Sequence, residues 1–236
     1  MMSSITENVA RVRAEIAAAA LAAGREPQEI LLVAATKMND ADRVREAIAA
    51  GLPACGENRV QELLEKNEQG AYEGARLHFI GSLQKNKVKY LVGLVELIHS
   101  VDSVELMREI NRQALKRGIT QDILLEVNTG GEDSKSGFAP EKLPEMLAAA
   151  AEFPAVSVRG LMTIPPICRR PEENLPYFQL LHQLFIDNGE KKYDNVRMDF
   201  MSMGMSGDYE AAIACGANMV RVGTAIFGHR IYPAKS

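Results

Sequence analysis

The chain has 236 residues, 47% of them hydrophobic and 25% charged, which is an ordinary globular composition. Its 27 basic and 31 acidic residues leave a net charge of −4, which excludes a bulk basic field for holding nucleic acid. No apolar run approaches the ~18 residues of a membrane span, and Met1-Met2-Ser3-Ser4-Ile5-Thr6-Glu7-Asn8 lacks the basic n-region of a signal peptide.

Cys55, Cys168 and Cys215 lie far apart, which argues against a disulfide framework or a zinc site. The four histidines show no metal-ligand spacing. A cytoplasmic protein with reduced thiols is expected. An alanine-rich amphipathic helix is predicted from Ser3 or Ser4 to Ala23, stopped by Gly24. A strand–helix pattern then repeats. Strand 30–36 leads to helix 41–50, strand 54–56 to helix 60–68, and strand 77–80 to helix 85–92. Strand 97–101 leads to helix 104–116, and strand 123–127 to helix 141–151. Strand 156–162 leads to a helix near 176–188, strand 198–202 to helix 209–214, and strand 219–222 comes last. Residues 163–176 read as one long loop after strand six.

Strand–helix alternation implies a parallel sheet, and eight units in roughly 250 residues is the size of a (β/α)8 TIM barrel. The expected fold class is therefore α/β, one barrel domain over residues 1–236 with an extra N-terminal helix. A doubly wound open sheet is the alternative. It carries a glycine fingerprint after its first strand, where this chain has Thr36-Lys37-Met38.

In such barrels the active site lies at the C-terminal strand ends. Those ends hold Lys37, Glu57-Asn58, Gly81-Ser82, Asp102, Asn128, Met162-Thr163, Ser202 and Gly223-Thr224. Lys37 closes a buried apolar strand. Desolvation there would lower its amine from the usual pKa of about 10.4 and free it for Schiff-base chemistry. The alternative is a solvated lysine in an ordinary loop.

The loops after strands seven and eight, where such barrels often bind phosphate, read Ser202-Met203-Gly204-Met205-Ser206-Gly207-Asp208 and Gly223-Thr224-Ala225-Ile226-Phe227-Gly228. Ser206 and Gly207 precede helix 209–214, so Ser206 is expected to cap that helix, bind an anion, or both. The spacing around Ser206 excludes a nucleophile elbow. Residues 130–137 do not fit a Walker A loop. Arg221 lies inside the last strand and needs an acceptor, either a neighbouring strand's carboxylate or a heteroaromatic nitrogen of a ligand.

Taken together, Ala34-Ala35-Thr36-Lys37, Gly56-Glu57-Asn58-Arg59-Val60-Gln61-Glu62, the run from His78 to Lys87, His99-Ser100-Val101-Asp102 and Ser134-Lys135-Ser136-Gly137 resemble one known family. Gly160-Leu161-Met162 and the two loops after strands seven and eight complete the match. The resemblance is to the YggS/PROSC family of pyridoxal phosphate (PLP) homeostasis proteins. It implies a barrel like the N-terminal domain of alanine racemase, with PLP, a vitamin B6 form, as cofactor. By that resemblance Lys37 holds PLP as a Schiff base and Arg221 faces the pyridine nitrogen. Ser206, Gly223 and Thr224 match phosphate-binding positions, Asn58 sits beside the ring, and Met162 belongs to the same mouth. One departure is local: many relatives have Ser before the lysine and Thr-Lys-Pro after it, where this chain has Thr36 and Met38-Asn39.

The family implies storage or delivery of the cofactor, with apo PLP enzymes as acceptors, and no catalytic turnover. The residues give a separate reason. PLP catalysis uses the ring as an electron sink, and a permanently cationic arginine disfavours protonation of its nitrogen. The rival is an amino-acid racemase or decarboxylase completed by Tyr232 or a partner chain. Only eight residues follow Gly228, so no second domain is expected and the protein is expected to be a monomer. A third reading is an RNA- or protein-binding barrel using Lys85, Lys87 and Lys89; such charges are more often a solvated face, and the acidic total speaks against nucleic acid.

Overall fold

The structure is a computed structural model that describes residues 4–132, 136–190 and 193–228. Ser134 and Lys135 of one family motif, and the tail that carries Tyr232, lie outside the described residues. Eight strands close into a parallel barrel in chain order. They are β1 Leu31–Ala35, β2 Ala54–Glu57, β3 Arg76–Phe79, β4 Leu97–Val101, β5 Gln121–Glu126, β6 Val156–Met162, β7 Val196–Ser202 and β8 Met219–Val222. The last strand pairs with the first, setting Val33 opposite Arg221. The expected barrel is thus the one observed, and the open doubly wound sheet is excluded.

Around it lie α1 Ile5–Ala22, α2 Ala41–Ala49, α3 Val60–Glu68, α4 Val88–Leu91 and α5 Val104–Arg117, then α6 Leu143–Ala150, α7 Leu175–Asp187, α8 Tyr209–Ala214 and α9 Thr224–Phe227. Among the described residues no helix is long and apolar enough to cross a membrane. The helix expected over 85–92 is instead a 3-10 turn at Lys85–Lys87 followed by the single turn of α4. Its lysine-rich first half has no apolar face to bury; only Val88 and Leu91 of this stretch's helical turn are buried. The short α9 after β8 was not expected from the sequence.

Strand alternation sorts the side chains into two layers. On β1, Leu32 and Ala34 join the large core beneath the helices, while Leu31, Val33 and Ala35 join a smaller core inside the barrel. The inner core also holds Ala54, Ile80, Leu97, Leu124, Met162 and Met219. Continuing the inward parity past Ala35 gives Lys37. The same parity on β8 runs Met219, Arg221, Gly223.

The N-terminal helix packs against α2, α8 and α9. Ser4 and Glu7 form a reciprocal capping box at its start. Asn8 then donates to the Ile226 carbonyl (3.0 Å), Arg11 to Ala225 (2.8 Å) and Arg25 to Ala217 (2.7 Å). Asn8 and Arg11 thus tie α1 to the segment after β8, and Arg25, three residues past the end of α1, ties the loop that follows to the segment before it.

Gly81 follows β3 where the chain touches the end of β2. A Cβ there would lie 2.2 Å from the Asn58 carbonyl oxygen, and backbone cannot yield as a side-chain tip can. Gly81→Ala is therefore expected to destabilise the protein by about 3 kcal/mol or more, at the upper end for overpacking. Gly207→Ala, with no atom within 4 Å of the added Cβ, is expected to fall within about 0.5 kcal/mol. Urea denaturation of the two variants checks the contrast.

Candidate functional site

The inward parity of β1 and β8 delivers Lys37 and Arg221 to one cavity of about 850 Å³ at the C-terminal mouth. Its walls include Lys37, Ser206, Arg221, Gly223 and Thr224, five of the seven residues expected from the sequence. Asn39, Arg43 and Phe227 line it as well, and sequence reading did not single these out. The other two expected residues lie elsewhere. Asn58 is half-buried at the end of β2, and its Oδ1 is buried without a hydrogen-bond partner. Met162 is fully buried in the inner core and does not line the cavity.

The loop carrying Lys37 is held from both sides. Lys66 on α3 donates to the Thr36 carbonyl (2.8 Å), to Glu57 Oε1 (2.7 Å) and to Glu62 Oε1 (2.7 Å). Glu62 Oε1 in turn accepts the Met38 backbone N–H. Glu57 Oε1 also accepts from Thr36 Oγ1 (2.6 Å) and from the Tyr72 hydroxyl (3.1 Å). Lys66 and Glu57 side chains are 7% and 0% exposed, so each needs the other: stranding one partner of a buried ion pair costs about 3–5 kcal/mol. The clamp holds Met38 at φ 61°, a left-handed conformation that a side chain adopts at a cost on the order of 1–2 kcal/mol. Burial pushes the neighbouring Cys55 thiol up to about 12, so it stays protonated and inert.

Opposite Lys37, the loops after β7 and β8 meet. Of the two roles open to Ser206, capping of α8 is not the one it takes. Asp208 occupies that N-cap position, its carboxylate turned to the Met205 N–H (2.6 Å) and the Asn174 amide (2.7 Å). Ser206 Oγ crosses to the other loop and accepts from the Gly223 N–H (3.1 Å) and the Ala225 N–H (3.2 Å). With both lone pairs engaged, the Ser206 O–H is left as a donor. Gly204, at φ 90°, makes the bend that permits this crossing; a Cβ there would sit 2.6 Å from the Ala212 Cβ. The arrangement suits an anion bound between the two loops, near the start of α9 instead of α8.

Arg221 is 3% exposed, in the inner layer. It donates to Ser202 Oγ and to the Thr163 carbonyl (2.8 Å). No carboxylate lies within salt-bridge distance of it among the described residues, so of the two acceptors considered the neighbouring-strand carboxylate is not the one observed. Burial lowers its pKa to about 10, against the opposing pull of Glu126 and Asp208, and it stays cationic at neutral pH. Burial pushes the Glu126 carboxyl up to about 7, with Asp102 acting in the same sense and Arg221 against it. Burial pushes His78 down to about 4, helped by Arg76. Burial, then His78 and Arg221, holds His99 well below the usual imidazole range.

The fold and site define a class: a parallel barrel that offers a lysine and a buried arginine to a ligand with an anionic group. The family model for the alanine racemase N-terminal domain matches residues 3–231. The chain is 47% identical to the pyridoxal phosphate homeostasis protein of Aquifex aeolicus, covering 96% of this chain and 98% of that one. It is 40% identical to the protein of the same name from Escherichia coli K12, covering 99% and 100%. PipY of Synechococcus elongatus, solved with PLP bound, has a TM-score of 0.82 at 32% identity, covering 95% of this chain and 100% of that one. The chain belongs to the alanine racemase N-terminal domain family, among its pyridoxal phosphate homeostasis proteins.

The titrations of the inner layer oppose one another. Glu126 has its folded pKa raised above the unfolded value, so the folded state takes up a proton and gains stability as pH falls from about 7 towards 4.5. His78 and His99 have folded pKa values depressed, so they lose stability as pH falls through and below about 6.5. Glu126→Gln removes only the offsetting term. Between about pH 6.5 and 4.5 its stability is expected to fall faster than that of the native protein by about 1.4 kcal/mol per pH unit. Parallel denaturant titrations at several pH values check the slope.

Proposed function

We propose that this protein binds pyridoxal 5′-phosphate reversibly in the cavity at the barrel mouth, for intracellular PLP homeostasis. The observation that carries the reading is that Lys37, Arg221, Ser206, Gly223 and Thr224 line one cavity. The residues fit the group. Ser206 has an O–H left to donate to a phosphate oxygen, Gly223 and Thr224 bring backbone to the same place, and Arg221 faces the cavity as a cation. Bound PLP supplies an aldehyde that a primary amine can hold reversibly as a Schiff base; Lys37 is the amine that the clamp presents there. The names of the relatives and the PLP-bound PipY structure support the same ligand.

The role is custody of the cofactor without substrate turnover. Arg221, a buried cation without a carboxylate at salt-bridge distance among the described residues, disfavours a second positive charge on the ring nitrogen. That removes most of the ring's capacity to stabilise a carbanion. The unit that does this is the barrel, one domain over residues 1–236, acting as a cytoplasmic monomer with apo PLP enzymes as acceptors. The rival racemase or decarboxylase would need a second acid on the face opposite Lys37, and its one tail candidate, Tyr232, lies outside the described residues.

Borohydride treatment of the PLP-loaded protein is expected to fix the cofactor on the peptide carrying Lys37. Ser206→Ala and Thr224→Ala are each expected to weaken PLP retention about tenfold or more, the loss of one hydrogen bond to a charged group. Label on another lysine, with Lys37→Ala unaffected, would sink the assignment. Chiral chromatography after incubation with L-amino acids is expected to show no sustained turnover; turnover abolished in Lys37→Ala would establish the enzyme instead.

A further inference from the structure

Beneath the cavity runs a chain of hydrogen bonds across four strands. Arg221 on β8 donates to Ser202 Oγ on β7. Ser202 Oγ lies 3.1 Å from His99 Nδ1 on β4, and His99 Nε2 lies 3.0 Å from His78 Nδ1 on β3. Ser202 and His99 are fully buried and His78 is 1% exposed.

The chain has a direction. A guanidinium only donates, so Ser202 Oγ must accept from Arg221 and its own O–H is free to donate. His99 Nδ1 is the acceptor within reach. His99 then carries its proton on Nε2 and donates it to His78 Nδ1, which leaves the His78 proton on Nε2, a buried atom with no hydrogen-bond partner. Either direction leaves one buried donor unpaired, the His78 Nε2–H in this one and the Ser202 O–H in the reverse; the charge decides, because the reverse would turn both imidazole N–H groups towards the guanidinium.

Each imidazole thus directs its lone pair towards Arg221. Neutral dipoles take the place of the carboxylate that a buried arginine usually has. They steady the cation without cancelling its charge, which is left to act on the cavity that Arg221 lines.

We propose that His99 and His78 are positioning residues for Arg221: a neutral, one-way hydrogen-bond chain that orients the guanidinium and keeps its charge directed at the bound ring. This deepens the PLP reading and rests on it for the identity of the ring. The charged groups around the chain are Arg76 at the start of β3, Asp102 after β4, Glu126 on β5 and Asp208 before α8. Burial keeps both imidazoles neutral, helped by Arg76 at His78 and by His78 and Arg221 at His99.

Side-chain 15N NMR of the protein without added PLP tests the chain first. Both histidines are expected to be neutral Nε2–H tautomers from about pH 8 down to about pH 5, and Ser202→Ala is expected to release His99 into a tautomer mixture. An Nδ1–H tautomer or a protonated imidazole at neutral pH would overturn the proposal. With PLP added as the probe, the pH at which the visible band changes is expected to move by about one unit, tenfold in proton affinity, in His99→Leu. It is expected to hold in His99→Gln, whose amide oxygen can accept from Ser202 in the same sense. An unmoved band in His99→Leu would also overturn the proposal. Failure of the native protein to bind PLP would sink the ligand reading alone, because the tautomers are read without it.

Discussion

One carboxylate oxygen, Glu57 Oε1, holds the business end of this barrel together. It accepts from Lys66, Tyr72 and Thr36 in a place closed to water. Through Lys66 and Glu62 the same cluster reaches the backbone on either side of Lys37. A long, flexible lysine side chain has roughly 2 kcal/mol of rotamer entropy to lose on being positioned. Fixing the backbone at its root reduces what must be ordered when a ligand engages the amine. The unfavourable φ at Met38 persists because this cluster over-determines the loop.

The second constraint is parity. A strand sends alternate side chains inward, so the pairing of Val33 with Arg221 decides that Lys37 and Arg221 share one side of the sheet. A one-residue slip of β8 would send Arg221 into the helix-facing core and replace it by Val220 or Val222. The bonds from α1 to the carbonyls of Ala225 and Ile226, and from Arg25 just after it to that of Ala217, pin the segments on both sides of β8. The amphipathic N-terminal helix therefore contributes to the site although its body lies outside the barrel.

Much of this was legible in the sequence. Eight apolar runs alternating with helical patterns gave the barrel, and Lys37 and Arg221 stood out as charged residues at or inside such runs. What stayed hidden depends on contacts between distant segments. Ser206 next to a helix start reads as a cap, and only the closed barrel shows that its oxygen serves the following loop. Met162 reads as a mouth residue because it ends a strand; it is buried in the inner core and is not among the residues that line the cavity. Glu57 and Lys66 read as an ordinary strand end and a helix charge, since nothing local reveals that α3 lays the amine across the first two strand ends. His78 and His99 carried a weak signal: each lies among apolar neighbours at an inward position of a short strand.

The central claim is that the clamp sets Lys37 up for its ligand. Glu62 is the part of the clamp that can be removed without stranding Lys66, because Lys66 keeps Glu57. PLP affinity of Glu62→Ala, measured by equilibrium dialysis on protein shown to be folded by circular dichroism, is the most direct test. The expected result is a loss of about tenfold, the size of one charged hydrogen bond released from the Met38 backbone. Native affinity in the folded variant would contradict the claim.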